Sequence, residues 1–277
     1  MNSFAETVKK ELSELNNLAN KNLVKAELSG YLITSSANEF TTESQYNINR
    51  FGKLLSNIGE NDYAISIKGK KYTIKPRRKI ELEHEIDGEE QVKALVRGAF
   101  LGTGTITNPK NIYHLEIIFE NEENANKIKE VLEKYGISSK IIKRKNKFLV
   151  YIEDGNNISA LLAFVGANKS VLEFENMRVI KEVRNKVNRL VNCETANLNK
   201  TIDTAVRQIE DIKLIKAHKK FKDLSEKEQE LAELRLKNSN ASLAELGEKA
   251  NPKISKSGVS HRMANIAKLA DEIRTEK

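Results

Sequence analysis

KAELSGYLI (residues 25–33) and KALVRGAFL (residues 93–101) share Lys, Ala and Gly at a constant offset of 68. Each is an apolar helical stretch with glycine at its middle, where glycine costs about 1 kcal/mol relative to alanine. A cost accepted twice at matching positions implies one compensation. Missing side chains let two helix backbones approach, so Gly30 and Gly98 predict two helices crossing at a pseudo-twofold axis. The flanks repeat as well. After the first copy come strand-like segments at 39–42 and 45–48, a helix at 49–58 closed by Gly59, and alternating strands at 63–68 and 71–75. After the second come a strand at 113–119, a helix at 125–135 closed by Gly136, and strands at 139–143 and 148–152. A duplicated helix-strand-strand-helix-strand-strand unit is more specific than any single propensity.

Ahead of the repeat, Ser3 and Glu6 have the spacing of a capping box and open an amphipathic helix to about residue 15. Behind it the pattern turns helical. Residues 171–190 and 198–222 read as two helices, the second with a basic end of Lys213, Lys216, Lys219, Lys220 and Lys222. Three short helices follow. Ser225 with Glu228 and Ser242 with Glu245 are capping boxes for the first two, and the third begins near 255–257. The fold class is therefore α+β, with a duplicated αββαββ domain joined by a helical linker to an all-α C-terminal domain. The expected boundaries are an N-terminal helix over 1–20, repeats over 21–85 and 89–168, a linker over 169–222 and a terminal domain over 223–277.

Composition narrows the function classes. Of 277 residues, 39% are hydrophobic and 31% charged, enough for a core in a water-soluble chain. No run approaches the ~18 apolar residues of a spanning helix. The opening MNSFAETVKKELSEL carries Glu6 and Glu11, unlike the apolar core of a secretory signal. The expectation is a cytoplasmic protein with no membrane role. A single cysteine, Cys193, rules out an intramolecular disulfide framework and multi-cysteine zinc sites, and without a spaced histidine partner it reads as a structural thiol. Asn192, Glu194 and Asn197 around it read as residues fixing the junction between the two linker helices.

The net charge of +8 favours a polyanionic partner. Its distribution is uneven: residues 169–277 hold 23 basic and 17 acidic side chains, and residues 250–270 contain Lys253, Lys256, Arg262 and Lys268 with no carboxylate. Solvated helix faces usually mix signs, so this stretch suits phosphate contact. Two further basic runs, KGKKYTIKPRRK (residues 68–79) and KIIKRKNK (residues 140–147), fall on the second strand pair of each repeat.

SLAELGEKA (residues 242–250), a turn, and SKSGVSHRMANIAKLADEI (residues 255–273) form a helix-turn-helix pattern. Leu243, Leu246, Val259, Met263 and Ile266 are spaced to close a core with Leu231, Leu234 and Leu236. Lys256, Ser257, Ser260, His261 and Arg262 then stand at the start of a recognition helix, where side chains meet base edges or phosphates. Asn265 and Lys268 lie further along, nearer the backbone.

With these residues in view, the chain resembles the LAGLIDADG homing-endonuclease fold, in which two such helices pack between saddle-shaped sheets that lie on DNA. LSGYLITSS (residues 28–36) and VRGAFLGTG (residues 96–104) fill the nine motif positions. The resemblance implies acidic, metal-holding residues at the eighth position, which here is Ser35 and Thr103. Neutral hydroxyls are poor ligands for a hard divalent cation, and the nearest acids, Glu27 and Glu39, lie outside the motif. No metal, no cofactor and no strand cleavage are expected. The saddle, if it still faces DNA, would use Lys68, Lys70, Lys71, Arg77, Arg78, Lys143, Arg144 and Lys145.

The pairing of a degenerate LAGLIDADG-like domain with a helix-turn-helix resembles the WhiA family of Gram-positive bacteria. NRLVNCETANL (residues 188–198), RQIEDI (residues 207–212) and SLAELGEKANPKISKSGVSHR (residues 242–262) carry that likeness. It implies a non-enzymatic, nucleoid-associated protein that binds double-stranded DNA and acts in cell division and chromosome segregation. In sporulating relatives it implies transcription of differentiation genes, with another regulatory protein as a further partner through the LAGLIDADG-like domain. The alternatives are a metal-dependent endonuclease using other acids, and an adaptor for an acidic protein.

Overall fold

α1 (Phe4–Ser13) starts where Ser3 Oγ accepts from the Glu6 backbone N–H at 3.2 Å, the forward half of the expected capping box. Its Phe4, Val8 and Leu12 recur at helical spacing and are buried. The computed structural model describes residues 3–35, 39–80, 82 and 85–275. The chain divides into two compact units, Met1–Val183 and Arg184–Lys277.

In the first unit, α2 (Lys21–Ile33) leads to β1 (Phe40–Thr42), α3 (Gln45–Asn57), β2 (Tyr63–Lys68) and β3 (Lys71–Pro76). The second repeat runs α4 (Glu89–Thr103), β4 (Thr105–Ile106), β5 (Leu115–Phe119), α5 (Glu122–Lys134), β6 (Lys140–Arg144) and β7 (Lys147–Ile152). The strands form two antiparallel sheets, ordered β1-β3-β2 and β4-β5-β7-β6.

The glycine helices α2 and α4 cross as the repeat predicts. A methyl group on Gly30 would stand 2.1 Å from the Leu95 carbonyl oxygen, and one on Gly98 would stand 1.9 Å from the Glu27 carbonyl oxygen. Backbone lies on backbone there, and only hydrogen fits. One expected strand is overturned. Residues 45–48 are the first turn of α3, because Ser44 Oγ accepts from the Asn47 N–H at 3.4 Å and starts a helix.

α6 (Gly155–Val165) was not anticipated. Asp154 accepts from the Asn157 N–H at 2.9 Å to cap it, and Ile158, Leu161, Leu162 and Val165 join the core. α7 (Asn168–Ala217) is one helix of 50 residues where two were expected. Residues 191–197 contain neither glycine nor proline, so nothing breaks the hydrogen-bond ladder. Asn192, Glu194 and Asn197 accordingly sit exposed along a continuous helix rather than at a junction, and Cys193 beside them is exposed. The carboxylate of Glu11 on α1 accepts from the backbone N–H of Lys169 at 2.7 Å and of Ser170 at 2.8 Å, capping the start of α7.

In the second unit a single 3-10 turn (Phe221–Asp223) precedes α8 (Glu226–Lys237), α9 (Leu243–Lys249) and α10 (Lys256–Thr275). Both expected capping boxes form, Ser225 with Glu228 and Ser242 with Glu245. Leu231, Leu246, Val259, Met263 and Ile266 make the core, with Leu234, Leu236 and Leu243 half-buried around it. Ile212 and Ile215 of α7 are fully buried in the same cluster, so four helices close it rather than three.

Candidate nucleic-acid interface

α10 divides cleanly into two faces. Val259, Met263, Ile266, Ala270 and Ile273 repeat at three- and four-residue steps and are buried. Ser257, Ser260, His261 and Lys268 lie opposite them and are exposed, as is Lys256 at the helix start. Ser255 Oγ accepts from the Gly258 N–H at 3.2 Å and sets the first turn. The turn from α9 to α10 spans residues 250–255, longer than the three or four residues usual in this motif. Gly247 makes that turn close-packed, since a methyl there would stand 2.2 Å from the Ile254 carbonyl oxygen.

Two residues of the expected reading set are placed otherwise. Asn265 Nδ2 donates to Glu228 Oε1 at 2.8 Å, tying α10 to the capping box of α8, and Arg262 is half-buried on the flank near the same carboxylate. Burial pushes the Glu228 carboxyl upward, but donation from Asn265 and Ser225 and the charge of Arg262 outweigh it and leave it below its ordinary range. The role of Asn265 was missed because Glu228 is distant in sequence.

At the C-terminal ends of α2 and α4, the positions that would hold metal are bound up in backbone contacts. Thr103 Oγ1 donates to the Ile118 carbonyl at 2.7 Å and accepts from the Ile118 N–H at 3.1 Å, pinning α4 to β5. Ser35 Oγ donates to the Glu39 carbonyl at 3.0 Å. Ser36, next in the motif, lies outside the described residues. Glu27 is fully buried and held by Arg50 at 2.8 and 2.9 Å, with Arg97 at 3.7 Å. Glu39 stands 3.6 Å from Lys75. Among the described residues no group of three acidic, His or Cys side chains is placed to hold a metal ion. Beside Thr103 a cleft of about 860 Å³ is lined by Ser3, by Glu6 and Lys9 of α1 and by the β2–β3 turn. Burial lowers the Lys9 ammonium to about 8.

The sheet registers decide which basic side chains point away from the core. Lys68 pairs with Lys71 and Ala64 with Lys75, while the alternate Tyr72, Ile74 and Pro76 run toward the core. Lys68, Lys71 and Lys75 therefore share the outer face of the first sheet. In the second, Lys140 pairs with Tyr151 and Arg144 with Lys147, all on the outer face. Lys143 pairs with Phe148 on the other face, its ammonium 5.4 Å from that ring. Lys70 and Lys145 sit in the hairpin turns, and Arg77 is ion-paired to Asp62 at 3.3 Å beyond β3, with Arg78 next to it.

A family model described as the WhiA LAGLIDADG-like domain matches residues 92–184, and one described as the WhiA C-terminal HTH domain matches residues 187–270. The chain belongs to the WhiA family.

Two curated WhiA relatives, each called a "Probable cell division protein WhiA", come from Clostridium tetani and Clostridium beijerinckii. The first is 48% identical over 194 residues, covering 70% of this chain and 61% of the relative. The second is 49% identical over 197 residues, covering 71% and 62%. The match thus spans about three fifths of the length of these WhiA proteins. The crystal structure of full-length WhiA from Thermatoga maritima superposes with a TM-score of 0.63 at 27% identity, covering 98% of this chain and 99% of that one. The isolated N-terminal LAGLIDADG domain of WhiA gives 0.54 at 23% identity over 60% and 94%, a likeness of fold. The WhiA architecture accounts for the glycine crossing in the first unit and the helix-turn-helix in the second. No described helix is long and apolar enough to cross a membrane.

Proposed function

We propose that this chain is a non-enzymatic regulator that binds double-stranded DNA through α10. The observation that carries this reading is the outward line of Ser257, Ser260, His261 and Lys268, backed by a fully buried face and set in a stretch with no carboxylate from 250 to 270. Ser and His can hydrogen-bond base edges, and Lys256 and Lys268 can meet phosphates. Arg262 supports this from the flank, and Asn265 acts by positioning the helix. The outer sheet faces, with Lys68, Lys71 and Arg144, form a second basic platform for DNA or for an acidic regulatory protein; Lys70, Lys145, Arg77 and Arg78 extend its rim. The names of the relatives support a role in cell division, with chromosome segregation and transcription of division or sporulation genes as the finer reading, exercised in the cytoplasm at the nucleoid. A retained metal-dependent nuclease is disfavoured by the donor set, since Thr103, Ser35 and Glu27 are all engaged within the fold.

Fluorescence anisotropy on a labelled duplex across a salt series tests this. His261→Ala is expected to weaken binding by about 1–3 kcal/mol if it touches a base, and Lys268→Ala to reduce the logarithmic salt slope by about 0.9 if it neutralises one phosphate. Unchanged affinity in the double variant would remove α10 from the interface. Nicking of plasmid by the wild type with magnesium would restore the nuclease reading.

A further inference from the structure

Arg50 and Arg235 are both buried to within 2% of complete, yet their surroundings differ. Arg50 makes a two-point pair with Glu27. Arg235, on α8, meets no carboxylate among the described residues. Its Nη1 donates to the carbonyls of Ala241 at 2.5 Å and Asn238 at 3.4 Å, and its Nε has no hydrogen-bond partner. Arginine stays charged in proteins, and a buried charge without a counter-ion is unfavourable. Arg235 also lines a pocket of about 290 Å³ within the second unit, together with Lys200, Thr201 and Thr204 of α7, Ser242 and Lys256. Three cations and three hydroxyls border this space, and no carboxylate does.

We propose that this pocket binds a phosphate-class oxyanion between α7 and the helix-turn-helix. A monocarboxylate would leave most of the positive charge unmatched, whereas the tetrahedral oxygens of a phosphoryl group match a guanidinium fork flanked by two ammonium groups. Ser242 Oγ already accepts from the Glu245 N–H, so its own proton is available to donate. Thr201 and Thr204 give their protons to the carbonyls of Asn197 and Lys200, local bonds that they can exchange for a bound oxyanion. Two sources share this chemistry: a DNA phosphodiester, in which case the site rests on the DNA-binding reading above, and a free phosphate or phosphorylated small molecule, which is independent of it.

Lys200→Glu reverses one wall of the pocket at an exposed helical position and leaves Arg235 in place. Thermal unfolding of the full chain is followed in inorganic phosphate against chloride at matched ionic strength, and duplex binding is followed across salt. If phosphate raises the melting temperature of the wild type by several degrees more than that of the variant, the pocket takes free oxyanion. If phosphate acts equally on both but the variant loses about 0.9 or more of the salt slope, the pocket takes a DNA phosphate. Equal responses of the two proteins in both assays would overturn the site. A wild type that ignores duplex DNA yet shows the phosphate-specific shift would remove the DNA reading and leave the pocket standing.

Discussion

Glu27 is the residue on which the interior of the first unit turns. It is fully buried, takes two donations from Arg50, stands 3.7 Å from Arg97 and accepts from Asn17 at 3.3 Å. Removing this anion strands the buried guanidinium groups of Arg50 and Arg97, and breaking a buried pair this way costs about 3–5 kcal/mol. Glu27→Gln, nearly isosteric, is therefore expected to lower the urea midpoint sharply, and an unfolding free energy reduced by less than ~1 kcal/mol would show that water already screens the cluster. Lys9 makes a prediction of opposite sign. Its folded ammonium is lowered to about 8 by burial, from 10.5 when free. The unfolded chain thus binds more protons between pH 8 and 10.5, and the penalty for burying the charge is fully present below 8 and fades as pH rises through that window. Lys9→Met is expected to stabilise at pH 7 by on the order of 1–2 kcal/mol, discounted for partial exposure, and to gain much less at pH 10. Melting curves at the two pH values check this.

Among the elements, the α2–α4 crossing is the least forgiving. Gly30→Ala and Gly98→Ala each drive a methyl into backbone atoms that no rotamer change can move, and are expected to cost more than 3 kcal/mol or to prevent folding. Gly52→Ala on α3, whose new methyl would meet the Ile74 side chain at 3.5 Å, serves as the helix-interior control and should be nearly neutral. Circular dichroism melts of the three variants separate the crossing from general helix effects. This crossing was legible in the sequence because close approach leaves a local mark, a glycine repeated at one offset. The hairpins β2–β3 and β6–β7 were legible from alternation, and the division of α10 into a buried and an exposed face from the three- and four-residue spacing of Val259, Met263 and Ile266. What the sequence hid was tertiary or depended on small polar groups. The Ser44 cap turned a strand-like segment into the start of α3. The Asn265–Glu228 tie joins residues from different helices. Strand register put Lys143 on the core side while its neighbours Arg144 and Lys140 face outward. The length of α7 was missed because residues 191–197 interrupt the apolar spacing without carrying the glycine or proline that most strongly breaks a helix.

At the scale of the whole molecule, the first unit is closed by its own beginning. Phe4 packs on Phe174 with ring centroids 6.1 Å apart, and the Glu11 carboxylate takes both backbone N–H groups at the start of α7 as well as the Ser170 hydroxyl. Glu11→Ala removes these acceptors and is expected to cost about 1–2 kcal/mol, with hydrogen exchange accelerated at Lys169 and Ser170 rather than along α7 generally. The partners in this clasp are 159 positions apart. On a ribosome adding about 5–20 residues per second, that separation becomes roughly 8–30 s during which the Glu11 carboxylate has been made and the helix start it caps has not. In that interval α1 can already pack on α3 and then α4, but the clasp that ties it to α7 stays open, which makes the nascent chain, rather than the finished protein, the form more exposed to chaperones and to proteolysis around α1.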